Sequence, residues 1–102
     1  MLELRPNCEN CDKDLPPEST DACICTYVCT FCVNCVENIL QNVCPNCGGG
    51  FSARPIRPSQ ERRKGVGLLS QPASTKRVNT QYSESEIKAF SALTKNIKPE
   101  NR

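Results

Sequence analysis

Regular spacing of apolar residues is confined to a few short stretches of the chain. Over residues 36–43 the apolar positions repeat at i, i+3, i+4 and i+7 with polar side chains opposite them, which predicts an amphipathic helix. These positions are Val36, Ile39, Leu40 and Val43. Residues 24–31 are rich in β-branched and aromatic side chains, which favours a short hairpin. Together the two stretches predict a small ββα core, with Ile24, Tyr27, Val28 and Phe31 packed inside it.

A second helix is predicted over residues 83–98. Ser83 and Glu86 have the spacing of a capping box, and Pro99 ends the pattern. The apolar face expected to dock consists of Ile87, Phe90, Leu93 and Ile97. Because so short a helix is marginal alone, we expect it to form only when docked on the first half of the chain, a second copy or another protein.

Residues 54–82 lack an apolar pattern and are rich in Arg, Pro, Ser, Gln and Lys, a composition typical of disorder. This segment and the chain end at 99–102 are predicted to be disordered. The segment carries a basic arm consisting of Arg54, Arg57, Arg62, Arg63, Lys64, Lys76 and Arg77. Within it, Arg62, Arg63 and Lys64 are the candidate contacts to an anionic partner such as a nucleic acid.

Composition divides the chain in two. All nine cysteines lie between Cys8 and Cys47, and residues 1–50 hold two basic residues against seven acidic ones, whereas residues 51–102 hold eleven against four. A domain of about fifty residues needs a metal or disulfides as staples. No secretory signal or membrane span is recognisable, so we expect the reducing cytoplasm, where dense cysteines indicate metal binding.

The cysteine spacing predicts two four-thiolate metal sites. It reads C-x2-C, C-x3-C, C-x2-C and C-x2-C along Cys8, Cys11, Cys25, Cys29, Cys32, Cys35, Cys44 and Cys47. Four thiolates suit zinc, so two Zn²⁺ ions are the expected cofactors, with an iron–sulfur cluster as the competitor.

The predicted helix decides how the ligands are shared. It would separate Cys35 from Cys44 by roughly 12 Å, too far for one ion. The expected partition is therefore interleaved, although a sequential pairing stays open. Site 1 takes Cys8, Cys11, Cys32 and Cys35, and site 2 takes Cys25, Cys29, Cys44 and Cys47.

Cys23 is the ninth thiol. In an extended segment Cys23 and Cys25 would project from the same face, so either could reach site 2. Cys25 is the predicted ligand because its separation from Cys29 closes the tighter turn. Cys23 is expected to be an inert packing residue.

The order of these pairs resembles RING fingers and related treble-clef zinc fingers. The stretches MLELRPNCENCDKDLPP, CTFC and CPNCGG are also similar to a family of small bacterial cysteine-rich proteins of unknown function. The resemblance covers residues 1 to about 58 and implies a RING-like interleaved two-zinc domain, which we assign to residues 1–53. RING ubiquitin ligases recruit a conjugating enzyme through an aliphatic residue after the first ligand and a basic residue after the last one. This chain has Glu9 and Gly48 at those two positions, and only Pro45 matches the ligase pattern.

These features favour a non-catalytic zinc-binding adapter for a protein partner. The chain has no histidine, and a four-thiolate site has no open position for water, so no catalytic residue is expected. Neither a membrane nor a small-molecule substrate is expected, and the oligomeric state stays open. The alternatives are nucleic-acid binding through residues 54–77 and a thiol-based redox or metal-responsive switch.

Overall fold

The computed structural model describes residues 1–102. Three short strands form an antiparallel sheet in the order β2-β1-β3: β1 (Ala22–Ile24), β2 (Thr30–Cys32) and β3 (Ser52–Ala53). Cys23 pairs with Phe31 on one side and with Ala53 on the other. The predicted hairpin is thus present.

The first helix starts earlier and ends earlier than residues 36–43. Helix α1 (Val33–Cys35) continues directly into a π-helical turn (Val36–Leu40), and Gln41 and Asn42 then take left-handed backbone angles with φ of 50° and 59°. The wider turn keeps the predicted apolar face inside: Val36, Leu40 and Val43 are buried, and Ile39 is half-buried against the core.

Helix α2 (Glu84–Thr94) begins at the predicted cap. Ser83 Oγ accepts from the Glu86 N–H and the Glu86 side chain accepts from the Ser83 N–H, which completes the capping box. The helix docks on the π-helical turn of the first half. A short 3₁₀ helix (Pro99–Asn101) follows it, in a part of the chain that was expected to be disordered.

The docking face of α2 is not the predicted one. Ile87 is 3% exposed and lies in the core, whereas Leu93 is 79% exposed and Phe90 and Ile97 are also exposed. The second buried residue of the helix is Ser91, whose hydroxyl donates to the Leu40 carbonyl at 2.9 Å. A carbonyl at a helix end needs such a partner, so a polar contact sets the orientation of α2.

Residues 54–82 have almost no regular secondary structure, yet they are not free of the first half as expected of a disordered linker. Within this segment, residues 74–80 run along the N-terminal loop and are called the strap below. Ser74 N–H donates to the Leu4 carbonyl at 3.0 Å, and Thr80 N–H donates to the Glu9 carbonyl at 2.7 Å. Polar backbone contacts replace the apolar ones that the composition lacks.

Side chains fix the same strap. Asn7 is fully buried and exchanges two hydrogen bonds with the backbone of Val78, at 2.9 Å and 3.2 Å. Arg77 forms ion pairs with Asp12 at 3.0 Å and Asp14 at 2.7 Å. The basic second half and the acidic first half therefore attract each other within one chain.

Arg54 is a buried tie between the sheet and the N-terminal loop. It is 4% exposed, and its guanidinium donates to the carbonyls of Arg5 at 2.8 Å, Leu15 at 3.2 Å and Pro16 at 2.9 Å. No carboxylate pairs with it, and burial lowers the pKa of Arg54 below its ordinary value.

We expect Arg54→Met to destabilise the protein by about 2–4 kcal/mol, because three carbonyls lose their donor. The matched control is Arg62→Met, since Arg62 is exposed. The measurement is urea denaturation of both zinc-saturated variants. Equal midpoints for the two variants would contradict this role of Arg54.

Candidate metal centre

The first cluster of thiols lies between the N-terminal loop and the start of α1. The four Sγ atoms of Cys8, Cys11, Cys32 and Cys35 all lie within 4.8 Å of one another. In a tetrahedral site with a metal–sulfur distance of about 2.3 Å, the sulfurs are about 3.8 Å apart. Cys11 Sγ and Cys32 Sγ are 3.8 Å apart, so the cluster can hold a metal ion with little movement.

The second cluster joins the β1–β2 turn to the loop after the π-helical turn. The Sγ atoms of Cys25, Cys44 and Cys47 lie within 4.8 Å of one another. Cys29 stands outside this group of three, but its thiol neighbours Cys25, and the Cys25 N–H donates to its carbonyl at 3.2 Å. Four-thiolate coordination here requires Cys29 Sγ to close on the ion.

The two clusters draw on alternating cysteine pairs, and Cys35 and Cys44 lie in different clusters, as the helix between them requires. Cys23 belongs to neither cluster. Burial, followed by the charges of Asp21 and Glu37, raises the pKa of Cys23, so its thiol is held neutral.

The thiols of the clusters are mostly buried. Burial raises the pKa of Cys29, Cys32, Cys35 and Cys44. Burial also acts to raise the pKa of Cys11, but hydrogen bonds from the Lys13 backbone and the neighbouring thiols outweigh it and lower that pKa. Because Cys29, Cys32, Cys35 and Cys44 are protonated without an ion, binding of a metal must release protons.

Glu9 holds the first cysteine pair against β2. Its side chain is 2% exposed and accepts from Arg5 Nη1 at 2.8 Å and from the Thr30 N–H at 2.6 Å. The Glu9 N–H in turn donates to the Thr30 carbonyl at 2.9 Å. The spacing of the cysteines did not predict this structural role of Glu9. The one sequence signal for it is the position of an acidic residue between two predicted metal ligands, Cys8 and Cys11.

The second half of the chain places its predicted contacts at the surface. Arg62, Arg63 and Lys64 are exposed, and they lie apart from the cysteine clusters in sequence. Arg54, Arg57 and Arg77 instead bind groups of their own chain. The basic arm that a nucleic acid could meet is therefore smaller than the sequence indicates.

An apolar surface lies beside the second cluster. A groove of about 450 Å³ is lined by Tyr27, Phe90, Thr94 and Ile97 together with the loop at Cys47. Tyr27 is 71% exposed, so the expectation that it packs inside the ββα core is wrong. It lies with exposed Thr26 in the β1–β2 turn, where Val28 takes a left-handed φ of 68°.

Fold and site together define a small cysteine-rich protein with two thiol clusters able to bind metal ions. The chain belongs to the family described as "Protein of unknown function (DUF1272)", whose profile matches residues 1–57. That region contains both clusters and Arg54 but ends before α2. No helix of the structure combines the length and apolar character needed to cross a membrane.

A relative from Rhizobium meliloti (strain 1021), named "Uncharacterized protein R02474", is 56% identical over 78 residues. The match covers 76% of this chain and 86% of the relative. No solved structure matches the chain.

Proposed function

We propose that this protein is a non-catalytic interaction module in which two Zn²⁺ ions hold a RING-like interleaved platform for a protein partner. The observation that carries the proposal is the grouping of the sulfurs into two clusters from alternating pairs. Sites made only of thiolates are structural in character, since they leave no coordination position for water.

Zinc would be held by Cys8, Cys11, Cys32 and Cys35 in one site and by Cys25, Cys29, Cys44 and Cys47 in the other. When bound, the ions supply structural cross-links between the loop, the sheet and α1. The donor set fits zinc because soft thiolates in a tetrahedral arrangement are its usual structural ligands. Iron is the competing ion for the same donors.

Native mass spectrometry of the full chain is expected to show two zinc ions per molecule. The same sample, analysed by elemental mass spectrometry, names the metal. A folded chain that holds a single ion, no ion, or iron in place of zinc would overturn the assignment.

The surface that supports partner binding is the apolar groove beside the second cluster. Tyr27, Phe90 and Ile97 line this groove and are exposed, and exposed apolar patches of this kind mark interaction surfaces. A second cavity of about 360 Å³ lies on the other side of Phe90, between Pro45 and Tyr82.

The nucleic-acid alternative is separated from this proposal by nuclease treatment. We expect a captured protein partner to persist after nuclease treatment, to be lost in Ile97→Glu, which alters the lining of the groove, and to be kept in Ser85→Glu on the exposed start of α2. Loss of every interaction on nuclease treatment, or equal capture by both variants, contradicts the adapter function.

A further inference from the structure

Two asparagine side chains contact the sulfurs of the clusters, one in each. Asn10 Nδ2 lies 3.4 Å from Cys35 Sγ, and Asn46 Nδ2 lies 3.3 Å from Cys29 Sγ. Both asparagines are the third residue of a C-x-N-C segment, CENC at 8–11 and CPNC at 44–47. In the first cluster the amide reaches from one cysteine pair to a sulfur of the other pair, and beside the second cluster it reaches Cys29, the fourth predicted ligand of that site.

Other sulfurs of the clusters accept from backbone N–H groups. Cys25 Sγ accepts from the Tyr27 N–H at 3.3 Å, and Cys47 Sγ accepts from the Gly49 N–H at 3.4 Å. A cysteine at a tight turn can use the N–H of the second residue after it in this way.

Cys35 and Cys29 cannot use the chain that follows them. Cys35 is the last residue of α1 and leads into the π-helical turn, where N–H groups are engaged in helical hydrogen bonds. Cys29 directly precedes β2, so the second residue after it, Phe31, lies in that strand and is paired with Cys23 of β1. The N–H of the first residue after it, Thr30, already donates to the Glu9 carboxylate at 2.6 Å. A side-chain amide is the donor that remains for each sulfur.

We propose that Asn10 and Asn46 are positioning residues that retain the metal, each by donating an amide N–H to a buried thiolate ligand of its own site. The inference rests on the zinc sites proposed above and assigns to each site a residue outside the ligand set. A metal-bound thiolate is an acceptor only, and hydrogen bonds to it spread its negative charge. Removing such an outer contact typically weakens metal affinity 10–100-fold.

The third C-x-N-C segment, CVNC at 32–35, supplies the control. Asn34 lies between the same kind of cysteines, but it is exposed and its Oδ1 accepts from Asn38 Nδ2 at 2.7 Å. Its amide has no contact with a sulfur. A variant of Asn34 therefore tests the effect of changing this motif position where the side chain does not contact a sulfur.

The experiment compares zinc-loaded full chains carrying Asn10→Asp, Asn46→Asp or Asn34→Asp in competition with a chromogenic chelator. Aspartate keeps the shape of asparagine but replaces the donor with an anion beside the sulfur. We expect affinity at one of the two ions to fall about 10–100-fold in the first two variants and to stay unchanged in the third. Leucine at the same positions tests removal of the donor without added charge.

Alkylation of the released thiols, mapped by mass spectrometry, identifies the site that lost its ion. Asn10 variants are expected to expose the thiols of Cys8, Cys11, Cys32 and Cys35 first. Asn46 variants are expected to expose those of Cys25, Cys29, Cys44 and Cys47 first. Absorption of the cobalt-substituted chains reports whether the site keeps tetrahedral thiolate geometry.

Affinities equal to those of the Asn34 variant, equal weakening of both sites by each variant, or failure of both the Asp and Leu variants to fold in excess zinc would overturn the inference. A wild-type chain that binds fewer than two ions would instead refute the proposed function. The two failures are therefore distinguishable.

Discussion

A strong chelator is expected to unfold the first half of the chain and to release α2 from it. The core cluster has thirteen buried residues, and seven of them are cysteines, so little apolar packing remains without the metal. Structural zinc contributes about 10–16 kcal/mol per site in small peptides at neutral pH. Because α2 docks through Ile87 on this same core, and so short a helix is marginal alone, its helicity should disappear as well.

Far-ultraviolet circular dichroism and the amide dispersion of a nitrogen–proton correlation spectrum measure this loss. Re-addition of zinc should restore both signals, and magnesium should restore neither, since a hard cation prefers oxygen ligands. Native dispersion that persists in the chelator would show that the fold does not depend on metal.

The spacing of the cysteines and the helix between Cys35 and Cys44 predicted the first cluster and three sulfurs of the second, whatever the detailed form of that helix, but Cys29 lies outside the observed group. The form itself was not predictable: a π-helical turn and an α-helix bury the same Val36 and Leu40. The periodicity of apolar residues predicts which face of a helix is buried. It does not predict which backbone carbonyl each N–H donates to, and that pattern distinguishes a π-helical turn from an α-helix.

The second half shows the opposite outcome. Its composition predicted disorder because it offers few apolar groups. Arg54 and Arg77 nevertheless bind carbonyls and carboxylates of the first half, and Asn7 of the first half binds the backbone of Val78. Such contacts leave no periodic signal in a sequence. The same holds for Ser91, which takes a buried position on α2 while Leu93, an apolar residue of the predicted face, stays exposed.

The choice between Cys23 and Cys25 was the least determined part of the site. An extended strand would place both on one face, but β1 ends at Ile24, so Cys25 lies in the turn and the alternation stops. Cys25 joins the second cluster, and Cys23 stays in the middle of β1 between Phe31 and Ala53.

The serine variants of these two buried cysteines are expected to differ widely. Cys25→Ser should leave one bound ion and cost several kcal/mol, because a structural zinc site supplies about 10–16 kcal/mol. Cys23→Ser should keep both ions and cost about 1 kcal/mol, the typical cost of a single substitution. Native mass spectrometry counts the ions, and thermal denaturation in excess zinc measures the stabilities.

The pair is well matched, since both residues are buried, lie two positions apart and receive the same change of sulfur to oxygen. A nonspecific penalty for a buried hydroxyl would lower both stabilities alike and leave the ion counts equal. If Cys25 is a metal ligand and Cys23 is not, the two variants differ in the number of bound ions. The assignment of the second site fails if Cys23→Ser loses an ion while Cys25→Ser keeps two, because the ligand would then come from the strand and not from the turn.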